Sequence, residues 1–308
     1  MTPSTTPRTV VVGVDGSTGS DEAAHAAAVA ASAAGAHLVV VRAFDWPTAG
    51  ITGLPVDVDG RSAAHGSSQV RLTWLVAQLA QWLPAGQIEA RLVDGEPVAV
   101  LRAAAADAAL LVVGAHGQAW HSGATLGSVT AALVRRSPCP VLVHRSREAL
   151  SGLPTGVVAG VDGGPGSAHV LAIAAREAVL RQTSLHVLHT WPQLTEDAGT
   201  PVQWLLDARA TTTTEQAVVH GLVAALRRDT PGLDVEATVV VGRAGPALVH
   251  ASHTAQLLVV GRPTVPIGEE VRATTRQVAH RAGCPVLVVP LPAVADVRAA
   301  AAPEPVQA

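Results

Sequence analysis

Lysine, asparagine and tyrosine are absent from all 308 residues, phenylalanine and methionine occur once each, and cysteine occurs twice. Without lysine, all 21 basic residues are arginines. That excludes a phosphate loop of the Gly-Lys-Ser/Thr type and any mechanism through a lysine Schiff base. Cys139 and Cys284 each open a Cys-Pro-Val-Leu-Val segment, which reads as a pair of small buried hydrophobes rather than a disulfide. A net charge of -3 leaves no basic footprint, so nucleic acid and acidic membrane surfaces are not the expected partners. The start of the chain, Met1 to Pro7, is polar, and no apolar run approaches the ~18 residues of a membrane span. The expected location is the cytoplasm. With 48% apolar and 15% charged residues, the chain is globular in character and long enough for two domains.

Strands and helices alternate along the first half. Strands are expected at Thr9–Val14, His37–Arg42, Ile88–Val93, Ala108–Val113 and Val141–His144. Helices are expected at Ser20–Ala34, Val70–Leu83, Pro97–Ala106 and from Ser128 to Arg136, with a long connection over Asp45–Gly66. Such alternation indicates an α/β fold with parallel pairing, and unbroken apolar strands indicate a sheet covered on both faces. The pattern then repeats. Asp15 to Asp162, Gly95 to Gly242 and Gly114 to Gly261 are each 147 apart, whereas Cys139 to Cys284 is 145. A domain duplication follows, with a net loss of two residues between Gly261 and Cys284. The joint lies at Ser146 to Pro154, which gives domains over 8–146 and 155–292 and an Ala/Pro-rich tail, 293–308, that reads as disordered.

The segment Gly114-Ala-His-Gly117, followed after nine residues by Gly127-Ser128, leaves an apolar strand and enters a helix. Glycines allow close backbone approach, and free amides at a helix start favour an anion. Ser128 adds a hydroxyl for a phosphate oxygen or a bound Mg2+. In an open parallel sheet ligands settle beyond the carboxyl ends of the strands. Gly13 and Asp15, Val41, and Val113 with Gly114 all lie near such ends, so Asp15 could meet a ribose and the backbone near Val41 a purine edge. His116 lies within the cradle itself. The remaining histidines, including His121 and the pair His250 and His253, lack partners at metal-ligand spacing and read as structural or solvent-facing. The six tryptophans read as core or interface packing. No catalytic base or positioned nucleophile is evident.

These residues carry a resemblance. Gly114, Gly117, Gly127 and Ser128, the aspartate after the first strand and the Cys-Pro-Val-Leu-Val ending together resemble the ATP-binding branch of the universal stress proteins, in tandem form. The resemblance implies two doubly wound, Rossmann-like domains of the adenine nucleotide alpha-hydrolase kind, each a five-stranded parallel sheet flanked by helices. It implies ATP, usually with Mg2+, held by Asp15 and Val41 at the adenosine end and by Gly114, Gly117, Gly127, Ser128 and Val129 around the phosphates; Gly13, Val113 and His116, their neighbours in sequence, complete the candidate set. It also implies pairing of the two domains through their final strands, with a homodimer as a further option, and a nucleotide-dependent regulator in stress response read by a protein partner. Slow ATP hydrolysis, an AMP-forming activity and a nucleotide-free dimerisation scaffold are the alternatives.

The second half departs from the pattern. Thr264 stands at the place of Gly117, and Arg272 and Ala273 at those of Gly127 and Ser128. Its site is therefore expected to be empty or altered, with Arg262, Arg272 and Arg276 either a different anion site or solvated surface.

Overall fold

A computed structural model describes residues 8–46, 58–117, 126–145, 155–191, 201–263 and 269–291. The chain divides into two compact units, Met1–Ser146 and Arg147–Ala308. In the first, the strands are β1 (Thr9–Gly13), β2 (His37–Phe44), β3 (Ile88–Asp94), β4 (Leu110–Gly114) and β5 (Val141–His144). The helices are α1 (Thr18–Ala34), α2 (Val58–Leu79), α3 (Pro97–Ala104) and α4 (Ser128–Arg136). Strand order is β3-β2-β1-β4-β5, and every neighbouring pair is parallel. The chain moves outward from β1 to β2 and β3, then returns to place β4 on the other side of β1. That reversal between β1 and β4 opens a crevice at their carboxyl ends.

The second unit repeats this plan. It contains β6 (Val157–Val161), α5 (Ser167–Leu180), β7 (Leu185–Trp191), α6 (Pro201–Asp229), β8 (Val235–Val241), α7 (Ala244–Ser252), β9 (Leu257–Arg262), α8 (Glu269–Arg281) and β10 (Val286–Pro290). Its order is β8-β7-β6-β9-β10, again all parallel. Even the register is copied: Val10 faces Leu110 in the first unit and Val157 faces Leu257 in the second.

Residue type explains these elements. Val10, Val11 and Val12 of β1 and Leu111, Val112 and Val113 of β4 are all buried, as central strands covered on both faces require. Helix α1 turns Ala23, Ala24, Ala27, Ala28 and Ala31 inward, all fully buried, and these short side chains let it lie close to the sheet. Ser17 caps its start by accepting from the Ser20 amide at 3.2 Å, and Gly35 ends it in the left-handed region at φ 59°.

Two expectations need correction. Helix α2 begins at Val58, so part of the Asp45–Gly66 connection is helical. Glycine and serine in this stretch disfavour a helix locally, but Leu72, Leu75 and Leu79 bury one face and hold the helix on the sheet. The tryptophans do not behave alike. Trp191 is buried, but Trp74 and Trp82 are 56% and 46% exposed; Trp74 lies on α2, whose leucine stripe already occupies the inner face. Trp46 stacks on Phe44, Trp204 lies on α6, and Trp120 lies outside the described residues.

Both cysteines are buried and free. Burial pushes the Cys139 thiol above its ordinary value. Iodoacetamide at pH 8 is therefore expected to alkylate Cys139 in the native protein far more slowly than in urea, as read by mass spectrometry. Leu111, fully buried in β4, tests the core: Leu111→Ala is expected to cost about 2–5 kcal/mol in denaturant unfolding.

Candidate functional site

The crevice between β1 and β4 opens into a cavity of about 460 Å3. All ten predicted residues line it. Gly13, Asp15 and Val41 stand on the β1–β2 side, Val113, Gly114, His116 and Gly117 at the end of β4, and Gly127, Ser128 and Val129 at the start of α4.

Local geometry accounts for two of the glycines. A β-carbon on Gly114 would lie 2.9 Å from the Gly19 carbonyl oxygen, and one on Gly117 would collide with Asp15 Oδ2. Gly127 differs. Its φ is -65°, and a β-carbon there would meet only ordinary contacts, the closest at 3.5 Å. At this position glycine leaves room rather than avoiding a clash.

Asp15 is fixed by the turn that follows it. The Ser17 amide and hydroxyl both donate to its Oδ1, at 2.9 and 2.7 Å, which leaves Oδ2 on the Gly117 side. At the other wall, the Gly127 amide donates to the Ala115 carbonyl at 2.8 Å, and the first bond within α4 runs from the Ala131 amide to the Gly127 carbonyl at 2.9 Å. The amides of Ser128, Val129 and Thr130 thus precede the helical ladder. The Thr130 hydroxyl donates to the Gly114 carbonyl at 2.7 Å and pins α4 to β4.

Several residues here escaped the sequence reading. Ala43 shares the strand face of Val41, a relation the period of two would have revealed. Pro97 and Leu101 of α3 close the apolar wall, and their i, i+4 spacing was the available signal. Glu96 sets the start of α3, accepting from the Val98 and Ala99 amides at 2.9 and 2.8 Å. Behind the β1 turn, Arg71 of α2 donates to the Gly16 carbonyl at 2.7 Å and pairs with Asp21 at 2.9 Å. Arg42 also lies against Gly16, and burial pulls its guanidinium below the ordinary value, opposed by Asp15.

The corresponding cavity in the second unit is smaller, about 170 Å3. Asp162 persists there, with its Oδ1 accepting from the Gly164 amide and the Ser167 hydroxyl at 2.9 and 3.0 Å. The Thr275 hydroxyl donates to the Gly261 carbonyl at 3.1 Å, as Thr130 does to Gly114. This pairing places the two-residue loss between Gly261 and Thr275. More than side chains has changed. Ala273, the counterpart of Ser128, is the fifth residue of α8, so its amide falls inside the helical ladder and the open helix end lies ~6 Å further back. Thirteen residues, 115–127, join β4 to α4, but only six, 263–268, join β9 to α8. Arg262 and Arg276 do not line the cavity, and Thr264 and the Arg272 side chain lie outside the described residues. Among the described residues no cluster of three metal-ligating side chains occurs and no helix is long and apolar enough to cross a membrane. His121 lies outside them, His250 is on α7, and His253 follows that helix.

A model of the universal stress protein family matches residues 6–145 and again 156–290. The chain belongs to that family. Two tandem-length relatives from Mycobacterium tuberculosis agree. Universal stress protein Rv2005c is 31% identical over 294 residues, covering 91% of this chain and 96% of its own. Universal stress protein Rv1996 is 29% identical over 302 residues, covering 92% and 95%. Among solved structures, a universal stress protein from Archaeoglobus fulgidus superposes with a TM-score of 0.62 at 17% identity, covering 92% of this chain and 96% of that one, a likeness of fold.

Gly117 and Gly127 separate two uses of glycine in this universal stress protein. Gly117→Ala is expected to cost about 1–3 kcal/mol by forcing Asp15 off Ser17. Gly127→Ala is expected to cost under about 1 kcal/mol. Thermal unfolding of both variants checks the difference.

Proposed function

We propose that the first unit binds ATP with Mg2+ and that occupancy regulates the protein's state in a stress response, to be read by a protein partner. The carrying observation is the single cavity at the strand-order reversal, with an apolar wall, a fixed carboxylate and an open helix start facing one space. The apolar wall of Val41, Ala43, Pro97 and Leu101 suits a purine. Asp15 suits ribose hydroxyls, which donate to a carboxylate. The Ser128, Val129 and Thr130 amides suit phosphate oxygens, reinforced by the helix dipole. Magnesium prefers oxygen ligands and retains water, so the phosphates with the Ser128 hydroxyl form a fitting donor set.

The altered helix start and short connector of the second unit support one nucleotide per chain. Each charge-assisted hydrogen bond to phosphate contributes ~1.5–3 kcal/mol, so losing two weakens affinity roughly a hundredfold or more. Ligand binding to the folded state alone also raises apparent stability.

Native mass spectrometry and calorimetry with Mg-ATP test this reading, with one ATP per chain expected. Gly127→Arg combined with Ser128→Ala carries the second unit's two side chains into the first and is expected to abolish that binding. Retained micromolar affinity would refute the cradle assignment.

A further inference from the structure

The two units differ at one more place, outside the glycine segment. In the first unit Gly19 and Gly114 meet directly. Their counterparts, Gly166 and Gly261, meet Leu291 instead. A β-carbon on Gly166 would lie 2.7 Å from Leu291 Cδ1, and one on Gly261 would lie 3.0 Å from Leu291 Cδ2. The Leu291 amide donates to the Arg262 carbonyl at 2.8 Å, continuing the ladder between β10 and β9, so the sheet itself aims this side chain. It enters as a wedge between the start of α5 and the end of β9, and it lines the second cavity. The residue 145 positions earlier is Ser146, which is smaller and polar.

Behind the wedge, much of the half proposed for the nucleoside survives. Gly160, Asp162, Ser167 and Leu248 line the second cavity at the places of Gly13, Asp15, Ser20 and Leu101. Gly160 packs on Leu248 as Gly13 packs on Leu101, with β-carbon distances of 2.8 and 2.7 Å. Leu188 replaces Val41 and Thr190 replaces Ala43, so the wall keeps its shape with slightly larger side chains. The phosphate half is what has gone.

We infer that Leu291 is the specificity-determining residue of the second unit: its side chain lines and narrows that cavity between the start of α5 and the end of β9, and removing it lets the cavity accept adenosine without phosphates. The inference rests on the nucleotide reading of the first unit for what the retained residues recognise. Asp162 would then accept from the ribose as proposed for Asp15, while the Ala273 amide, inside the helical ladder, offers phosphates nothing.

Calorimetric titration of the full chain with adenosine and, separately, with Mg-ATP provides the test. Wild type is expected to bind one ATP and no more than one adenosine per chain. Leu291→Ala is expected to add one adenosine site while ATP remains at one, and adding Asp162→Asn is expected to weaken the new site at least tenfold. Should the alanine variant not unfold cooperatively, Leu291→Val removes one methylene group and must show the same added site more weakly. A folded Leu291 variant with wild-type adenosine stoichiometry overturns the inference, as does a wild-type protein that already takes two. Failure of wild type to bind ATP at all overturns the reading of the first unit instead.

Discussion

The close passage of Gly114 against Gly19 is the constraint on which the first unit's site depends. It brings the end of β4 against the first turn of α1 with no side chain between them. The strand order puts β1 and β4 side by side, and this contact then sets how far apart their exits can lie. Thr130 draws α4 onto the same Gly114 carbonyl, so β1, α1, β4 and α4 converge at one point. Where Leu291 intervenes in the second unit, the strands keep their register and the threonine bond persists, yet the enclosed space contracts. Framework and cavity are thus separable: the ladder hydrogen bonds maintain one, and a few side chains at the strand exits decide the other.

Much of this was legible in the sequence because it depends on chain position. Unbroken apolar runs declare buried parallel strands, and a residue just after such a run must emerge at the carboxyl rim. That is why Asp15 and Gly114, far apart in the chain, are legible as neighbours at one rim, and the helix start after the glycine segment adds Gly127. What was not legible depends on contacts between elements. The bond from Arg71 to Gly16 needs the placement of α2, whose start was itself misread because Gly66, Ser67 and Ser68 favour loops locally. The exposure of Trp74 runs against its residue type and follows only from which face of α2 the leucines claim. Leu291 belongs to no motif, and its effect appears only when the Gly166 and Gly261 backbones are placed on either side of it.

Duplication gives an internal comparison. The two units share strand order, the β1–β4 register and the threonine bond, so these belong to the fold. They differ in connector length, in where the last helix begins and in the residue that matches Leu291, Ser146. All of these differences lie around the carboxyl rim, and none disturbs the buried strands.

The complete substitution of arginine for lysine has a consequence at the turn beside the cavity. Arg71 fastens α2 to the Gly16 carbonyl and to Asp21 through a partly exposed guanidinium. Dissolved ions weaken it, because screening acts on a solvent-facing pair. Ionic strength is therefore the solution variable to which this edge of the cavity answers.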